Sequence, residues 1–216
     1  MMRTVEQIFA VNKIVPVVVI DDVSAAIPLA ETLLESGINA IEITLRTPNA
    51  LEIIELLAKK APQMVVGAGT VRASADFFNA CLSGAKLIFS PGTTEELLAA
   101  SRSRYSDVRY IPGVVTPTHV MECVSRGLNY LKFFPAEAFN AYEVIKSMAA
   151  PLPEAKFCPT GGITIDNMQK YLGLPNIFAI GMSSIVDPKL IAAHDFTEIR
   201  RRCEQAVSIV NNSVKK

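Results

Sequence analysis

One lysine of this chain lies inside a short apolar stretch, an unusual place for a charged side chain. Lys132 is preceded by Tyr-Leu and followed by Phe-Phe. Side chains alternate between the two faces of a strand, so if Leu131 and Phe133 face helices, Lys132 points into the interior. Burial disfavours the charged form of an amine, and a neutral lysine is a nucleophile that forms a Schiff base with a ketone. The alternative is a lysine that pairs with a carboxylate for structure alone.

A second apolar stretch, AIEITLR at residues 40–46, carries three polar side chains on one face. A period of two places Glu42, Thr44 and Arg46 together, opposite the aliphatic residues. Buried polar groups are costly unless they form a network, so Glu42 is expected to pair with Lys132 or Arg46, or to transfer protons beside them. The planar guanidinium of Arg46 suits a carboxylate ligand. A structural Glu–Arg pair is the alternative, but the strand lysine favours a catalytic site.

The elements that must position these residues recur at a regular spacing. Apolar stretches rich in β-branched or aromatic residues begin near residues 14, 40, 64, 86, 109, 130, 156 and 177. Patterns typical of helices lie between them, such as SAAIPLAETLLESG and NALEIIELLAKK. Helix starts are predicted at Thr47-Pro48, Thr93-Thr94 and Thr116-Pro117. Strands that alternate with helices in this way predict the α/β class with parallel crossover units.

Two architectures fit this alternation, a closed (β/α)8 TIM barrel and an open doubly wound sheet. The count of eight strands and the missing GxGxxG after the first strand favour the barrel. Residues 3–13 (RTVEQIFAVNK) predict an extra N-terminal helix. No linker or shift in composition marks a second domain, so residues 1–216 are expected to form one barrel domain.

Glycine-rich segments end the last two predicted strands, CPTGG at residues 158–162 and GMSS at residues 181–184. Active sites of such barrels lie at the C-terminal ends of the strands, and these two loops frequently bind phosphate through backbone N–H groups. Each glycine pair taken alone could equally be a plain turn. Thr70, which follows Gly-Ala-Gly at the end of the third strand, could donate a hydrogen bond to a bound carboxylate.

Two runs of like charge are assigned structural roles. Asp21 and Asp22 follow the first predicted strand. With no histidine or third carboxylate beside them, they are expected to cap a helix and not to bind a metal. Arg200-Arg201-Arg202 is expected to form a solvated helix face.

The composition argues against several classes of function. Twenty-one Lys and Arg balance 21 Asp and Glu, so there is no basic excess to bind nucleic acid. No apolar run approaches the roughly 20 residues of a membrane-spanning helix, and the N-terminal segment lacks the pattern of a signal peptide. The four cysteines form no CxxC pair and the two histidines lie in no ligand motif. Buried reduced thiols, no metal site and a cytoplasmic location are therefore expected.

The chain resembles the bacterial 2-dehydro-3-deoxy-phosphogluconate (KDPG) and 4-hydroxy-2-oxoglutarate (KHG) aldolases from about Ile8 to the last helix. Matching segments are VPVVVI, EITLRT, VGAGTV, FSPG, IPGV, KFFPAEA and FCPTGGI. KFFPAEA together with EITLRT is highly specific. The resemblance implies a (β/α)8 barrel, a homotrimer, and a Schiff-base aldolase without cofactor or metal. Its substrate would be a keto acid phosphate, 2-keto-3-deoxy-6-phosphogluconate of the Entner–Doudoroff pathway, cleaved to pyruvate and glyceraldehyde 3-phosphate.

The same resemblance implies roles for individual residues. Lys132 matches the Schiff-base lysine, and Glu42 matches the general acid/base. Arg46 and Thr70 match the residues that hold the pyruvyl carboxylate. The other matches are the pocket residues Pro91, Phe134 and Thr160 and the phosphate-loop residues Gly161, Gly162, Gly181 and Ser183.

The chain departs from the family pattern at two places that concern phosphate. Met182 stands where relatives often have the second glycine of Gly-Gly-Ser, and Asp21-Asp22 stands where some relatives carry a basic residue. Other substrates of the same mechanism, the galactonate epimer and unphosphorylated 4-hydroxy-2-oxoglutarate, therefore stay open. Two rivals of another kind are a phosphate-sugar barrel isomerase or epimerase, which needs no buried lysine, and a catalytically silent barrel that binds phosphorylated ligands.

Overall fold

The structure is a computed structural model that describes residues 4–10, 12–103 and 107–214. It has an α/β fold in which helices surround a curled parallel sheet. The strands of the described part are β1 (Ile14–Val18), β2 (Ala40–Thr44), β3 (Val65–Gly69), β4 (Leu87–Phe89), β5 (Arg109–Ile111), β6 (Gly113–Val114), β7 (Tyr130–Phe133), β8 (Lys156–Pro159) and β9 (Ile180–Met182). Every paired strand is parallel to its neighbour.

Each of the eight predicted apolar stretches contains a strand, and the fifth contains two. Pro112 separates β5 from β6 because proline has no N–H to continue the ladder. The strands form a six-stranded sheet in the order β5-β4-β3-β2-β1-β9 and a three-stranded sheet in the order β6-β7-β8. Two isolated bridges, Phe157 with Ile177 and Thr160 with Gly181, join β8 to the β9 segment.

The helices of the described part lie between the strands and at both ends of the chain. They are α1 (Val5–Phe9), α2 (Ala26–Glu35), α3 (Ala50–Lys60), α4 (Ser74–Leu82), α5 (Glu95–Ala100), α6 (Pro117–Val124), α7 (Ala141–Met148), α8 (Met168–Leu172), α9 (Pro188–Ala192) and α10 (Phe196–Val214). The first of them falls within the predicted segment 3–13, of which residues 3 and 11 lie outside the described residues. No described helix is both long and apolar enough to cross a membrane.

Two of the three predicted helix starts are confirmed. The Thr94 hydroxyl accepts the amide of Leu97 at the start of α5, and Thr116 caps α6 with proline in its first turn. The prediction for Thr47-Pro48 is wrong, because α3 begins at Ala50. The hydroxyl of Thr47 instead donates to the Ile20 carbonyl at 2.6 Å, which ties this loop to the end of β1.

The apolar side chains form two layers, as the alternation of strand residues predicts. The outer layer, between sheet and helices, includes Leu131 and Phe133. The inner cluster lies within the curl of the sheet, and three residues of α1 belong to it. Phe9 of α1 packs edge-on against Phe178 with ring centroids 5.5 Å apart, and Phe178 likewise contacts Tyr130. Apolar packing thus fills the N-terminal ends of the strands and leaves the polar residues at the opposite ends.

The four cysteines are free and buried, as predicted. Burial raises the pKa of both Cys158 and Cys203 to about 12, so these thiols stay protonated. In the described ranges no group of three or more His, Cys, Asp or Glu could hold a metal ion. Asp22 caps a short 3-10 helix by accepting the amide of Ser24 at 2.9 Å, as predicted. Hydrogen bonds from Ser24 and His194 lower the pKa of Asp22 to about 2.

Candidate active site

The side chains of Lys132 and Glu42 meet inside the curled sheet. The Lys132 Nζ donates a hydrogen bond to the Glu42 Oε1 at 2.8 Å, although the two residues are 90 positions apart in the chain. Lys132 is 4% exposed and Glu42 is 1% exposed. A buried ion pair adds little net stability, since desolvation of both charges offsets their attraction. Its position therefore suits proton transfer and nucleophilic chemistry better than stability.

Two aromatic rings flank the lysine. The Nζ of Lys132 lies 5.6 Å from the ring centroid of Phe89 and 5.5 Å from that of Phe134. These apolar walls limit the water around the amine. Phe134 was among the predicted pocket residues, but Phe89 was not. The alternation of side chains along β4 nonetheless indicates Phe89 as a pocket residue, because Phe89 faces inward together with Leu87.

Gly69 at the end of β3 provides the space that Glu42 occupies. A Cβ at residue 69 would lie 2.1 Å from the Glu42 Oε1 and 2.6 Å from its Cγ. Gly69 lies opposite Thr44 in the parallel pairing of β2 with β3. Glycine is therefore required here for the close approach of a side chain and not for a turn.

Arg46 and Thr70 lie together at the C-terminal ends of β2 and β3. The Arg46 Nε donates to the Thr70 Oγ1 at 2.9 Å. The terminal nitrogens of Arg46 have no partner among the described residues and are open to a ligand. Thr70 has φ of 60°, in the left-handed region that a β-branched residue rarely adopts. Such a conformation costs about 1–3 kcal/mol and clusters at functional sites.

The predicted polar face of the second strand is only partly a network. Glu42 pairs with Lys132 and not with Arg46, so the structural Glu–Arg alternative is wrong. Thr44 is buried, and its Oγ1 donates to the Val18 carbonyl of β1 at 2.9 Å. Thr44 therefore stabilises the pairing of β1 with β2 and contributes no group to the site.

The glycine-rich loop after β8 is fixed against the loop that follows Lys132. Gly161 has φ of 103° and Gly162 has φ of 79°, conformations that favour glycine. The amide of Ala136 donates to the Thr160 carbonyl at 2.8 Å, and the amide of Glu137 donates to the Gly161 carbonyl at 3.0 Å. The segments KFFPAEA and CPTGG thus form one structural unit beside the lysine.

Gly181 lies within β9, as the predicted strand at residues 177–181 indicates, and the loop begins only after Met182. A Cβ there would lie 2.1 Å from the Thr160 Oγ1, so glycine permits β9 to approach the inward-facing threonine. Met182, which departs from the family pattern, is fully buried in the outer apolar layer. Its side chain therefore points away from the loop. Ser183 follows it and is exposed.

Pro91 is half-buried at the end of β4 and packs closely against β6. A Cβ at Gly113 would lie 2.4 Å from the carbonyl carbon of Pro91. The buried Ser90 hydroxyl lies 2.9 Å from the Tyr110 hydroxyl and accepts the amide of Gly113 at 3.2 Å. This network, which the sequence did not indicate, holds Pro91 in place.

The prediction of a solvated Arg200-Arg201-Arg202 face is wrong for Arg202. Its side chain is 30% exposed, and the guanidinium donates to the Ser184 carbonyl at 2.9 Å. Arg202 therefore contacts the loop after β9. Arg201 is 63% exposed and pairs with Glu198 on the helix surface, as predicted.

Comparison with known proteins assigns this geometry to a family. The sequence profile described as KDPG and KHG aldolase matches residues 5–202. The chain belongs to this aldolase family. The 2-dehydro-3-deoxy-phosphogluconate aldolase of Pseudoalteromonas atlantica is 37% identical over 203 residues, which cover 94% of each chain.

Solved KDPG aldolase structures have the same fold. The crystal structure from Legionella pneumophila has 39% identity and a TM-score of 0.89, and the match covers 94% of this chain and 98% of that one. It contains pyruvate captured at low pH as a covalent carbinolamine intermediate. The Zymomonas mobilis ZM4 structure with 3-phosphoglycerate has 36% identity and a TM-score of 0.86, with 97% of each chain covered.

Proposed function

We propose that this chain is a Schiff-base aldolase that cleaves 2-keto-3-deoxy-6-phosphogluconate to pyruvate and glyceraldehyde 3-phosphate. The observation that carries the proposal is the buried 2.8 Å contact between Lys132 and Glu42 in a member of the KDPG and KHG aldolase family. The carbinolamine in the Legionella pneumophila enzyme is the first covalent species of such a mechanism. 4-Hydroxy-2-oxoglutarate, cleaved to pyruvate and glyoxylate, is proposed as a second substrate.

We further propose that the two sheets close into one (β/α)8 TIM barrel that comprises residues 1–216, with α1 as the extra N-terminal helix. The two sheets approach each other at two places. At the first, only Pro112 separates β5 of one sheet from β6 of the other. At the second, two bridges join β8 to the β9 segment. A homotrimer is proposed from the family resemblance alone, and a cytoplasmic location is proposed from the cysteine pattern of the sequence.

The first steps use the proton shared by the buried pair. Transfer of one proton from the Lys132 ammonium to Glu42, across 2.8 Å, produces a neutral amine and a carboxylic acid together. The amine attacks the C2 carbonyl of the substrate and forms a carbinolamine. Glu42 then donates its proton to the departing hydroxyl, and loss of water leaves a protonated imine.

Cleavage follows because the protonated imine accepts electrons. Glu42, now a carboxylate, removes the C4 hydroxyl proton through a water molecule. The C3–C4 bond breaks, its electron pair moves into the imine to give an enamine, and the aldehyde leaves. Glu42 returns the proton to C3, which becomes the methyl carbon. Water then adds to the protonated imine, and the proton that is released goes to the Glu42 carboxylate. Pyruvate leaves, and the neutral Lys132 amine and the Glu42 carboxylic acid are restored.

The remaining residues orient the substrate in this proposal. Arg46 and Thr70 hold the carboxylate, which places C2 against the Lys132 Nζ. The strained backbone of Thr70 and the hydrogen bond that it accepts from Arg46 support this role. The proposed pocket walls are Pro91, Phe134 and Thr160, and the proposed phosphate ligands are backbone groups of Gly161, Gly162 and Gly181 with Ser183.

Competition among candidate substrates tests the proposed function. We expect the phosphogluconate substrate to have the highest kcat/KM, followed by its galactonate epimer and unphosphorylated 4-hydroxy-2-oxoglutarate. EDTA is expected to leave the rate unchanged, because the imine itself accepts the electron pair. Strong inhibition by EDTA, or isomerisation without pyruvate release, would contradict the proposal. A phosphate-sugar isomerase would need the phosphate loops but not the buried lysine pair.

Substitution of Gly69 tests the position of Glu42. Gly69→Ala is expected to lower kcat/KM by about 100-fold, because the added methyl must displace the Glu42 carboxylate. Overpacking should also lower the free energy of unfolding by about 1–3 kcal/mol. Gly92→Ala is the matched control, since a Cβ there has no neighbour within 4 Å. Equal kinetics for the two variants would show that Glu42 does not need its observed position.

A further inference from the structure

We propose that Arg202 is a positioning residue that holds the two phosphate-binding loops in register and so sets the affinity for phosphorylated substrates. This inference rests on the proposed function. Arg202 belongs to α10, outside the loops themselves, and is not among the residues assigned above to bind the substrate. It acts through Ser184 and does not contact the phosphate.

Two hydrogen bonds connect Arg202 to both loops in series. The Arg202 guanidinium donates to the Ser184 carbonyl at 2.9 Å. The Ser184 hydroxyl in turn donates to the Ile163 carbonyl at 3.0 Å. Ser184 follows the proposed ligand Ser183, and Ile163 follows Gly162. These two hydrogen bonds therefore connect the two proposed phosphate loops at the residues next to their proposed ligands.

Glu198 binds the same guanidinium through a different nitrogen. The Arg202 Nε donates to the Glu198 Oε1 at 2.8 Å, one turn earlier in α10. Hydrogen bonds from Arg201 and Arg202 lower the pKa of Glu198 to about 2. The carboxylate is therefore ionised near neutral pH, which maintains its ion pair with Arg202.

The hydrogen bonds from Ala136 and Glu137 hold the loop after β8 on one side, but neither of them reaches the loop after β9. Gly161 and Gly162 have no side chains to add a further link, and Ser183 is exposed. Backbone N–H groups bind an anion tightly only when they are already oriented, since ordering them on binding costs entropy.

Arg201 provides a matched control on the same helix. It binds the same carboxylate, with its Nε donating to the Glu198 Oε2 at 2.7 Å. Its side chain is 63% exposed, compared with 30% for Arg202. None of its hydrogen bonds to described residues reaches Ser184 or the loops. Removal of either arginine therefore costs one ion pair with Glu198, but only removal of Arg202 disconnects Ser184.

The test compares Arg202→Met with Arg201→Met on a phosphorylated and an unphosphorylated substrate. For Arg202→Met we expect KM for 2-keto-3-deoxy-6-phosphogluconate to rise about tenfold, with kcat within about twofold, because one charge-assisted hydrogen bond is lost. KM for 4-hydroxy-2-oxoglutarate should stay unchanged, and Arg201→Met should match the wild type on both substrates. Arg202→Lys, which keeps the charge and one donor, should recover part of the affinity.

A second variant keeps the test decisive if Arg202→Met does not fold. Ser184→Ala breaks only the link to Ile163 and should raise KM several-fold for the phosphorylated substrate alone. Equal KM for Arg202→Met and Arg201→Met, or an equal rise on both substrates, would overturn the inference. Borohydride trapping of wild-type enzyme with pyruvate separates the two claims, because pyruvate carries no phosphate. Failure to trap pyruvate would overturn the proposed function itself.

Discussion

Lys132→Met is expected to abolish cleavage, lowering kcat by at least about 10⁴-fold, because the covalent route loses its only nucleophile. Methionine is similar in length and apolar, so the pocket between Phe89 and Phe134 stays filled. The variant should fold, although Glu42 is left buried without its partner, which destabilises a protein by about 3–5 kcal/mol when the charge is retained. Steady-state kinetics and thermal denaturation measure the two effects.

Lys86→Met is the matched control for the lysine substitution. The Lys86 Nζ lies 2.7 Å from the Asp107 carboxylate, and both side chains are about half exposed. Such a surface pair contributes about 0–1 kcal/mol. The control should therefore keep wild-type turnover and nearly wild-type stability. Substantial turnover by Lys132→Met would contradict the assigned nucleophile.

Glu42→Gln is expected to have the second largest effect, a decrease in kcat of about 10²–10⁴-fold, because glutamine cannot accept or return a proton. Its amide oxygen can still accept the hydrogen bond from the Lys132 Nζ, so the geometry should persist. We therefore expect Glu42→Gln to retain borohydride trapping with pyruvate, at a reduced rate, while cleavage of the substrate falls.

Two outcomes would contradict the assignment of nucleophilic attack to Lys132 and of proton transfer to Glu42. Nearly normal turnover in Glu42→Gln would mean that another group transfers the protons. Complete loss of the pyruvate adduct with an intact fold would mean that no other group, water included, can take the Lys132 proton in place of Glu42. Rapid-quench trapping of wild type and variant over the same time course distinguishes both results from the expected one.

The sequence predicts the inward direction of Lys132 and Glu42 well, because strand side chains alternate strictly and their neighbours are apolar. Leu131 and Phe133 do lie in the outer layer. The direct contact between Lys132 and Glu42 was one of several alternatives, because the sequence allowed Glu42 to pair with either Lys132 or Arg46. Only the curl of the sheet, which brings β7 opposite β2, decides between them.

Other features depend on side-chain contacts that no local pattern specifies. In the sequence, Gly69 could equally belong to a turn. The structure shows instead that glycine is needed there because the Glu42 carboxylate lies beside it. Thr47 precedes a proline, which predicts a helix start, but the carbonyl of Ile20 offers its hydroxyl a better partner. Arg202 belongs to a run of three arginines, and only its place on α10 distinguishes it from its neighbours.

The most direct test of the central claim is reduction with borohydride in the presence of pyruvate, followed by mass mapping of the peptides. The account predicts a single pyruvate-derived modification on Lys132 in the wild-type chain and none in Lys132→Met. Lys86→Met should be modified on Lys132 as the wild type is. No adduct, or an adduct on a different lysine, would contradict the claim that the buried Lys132 forms the Schiff base.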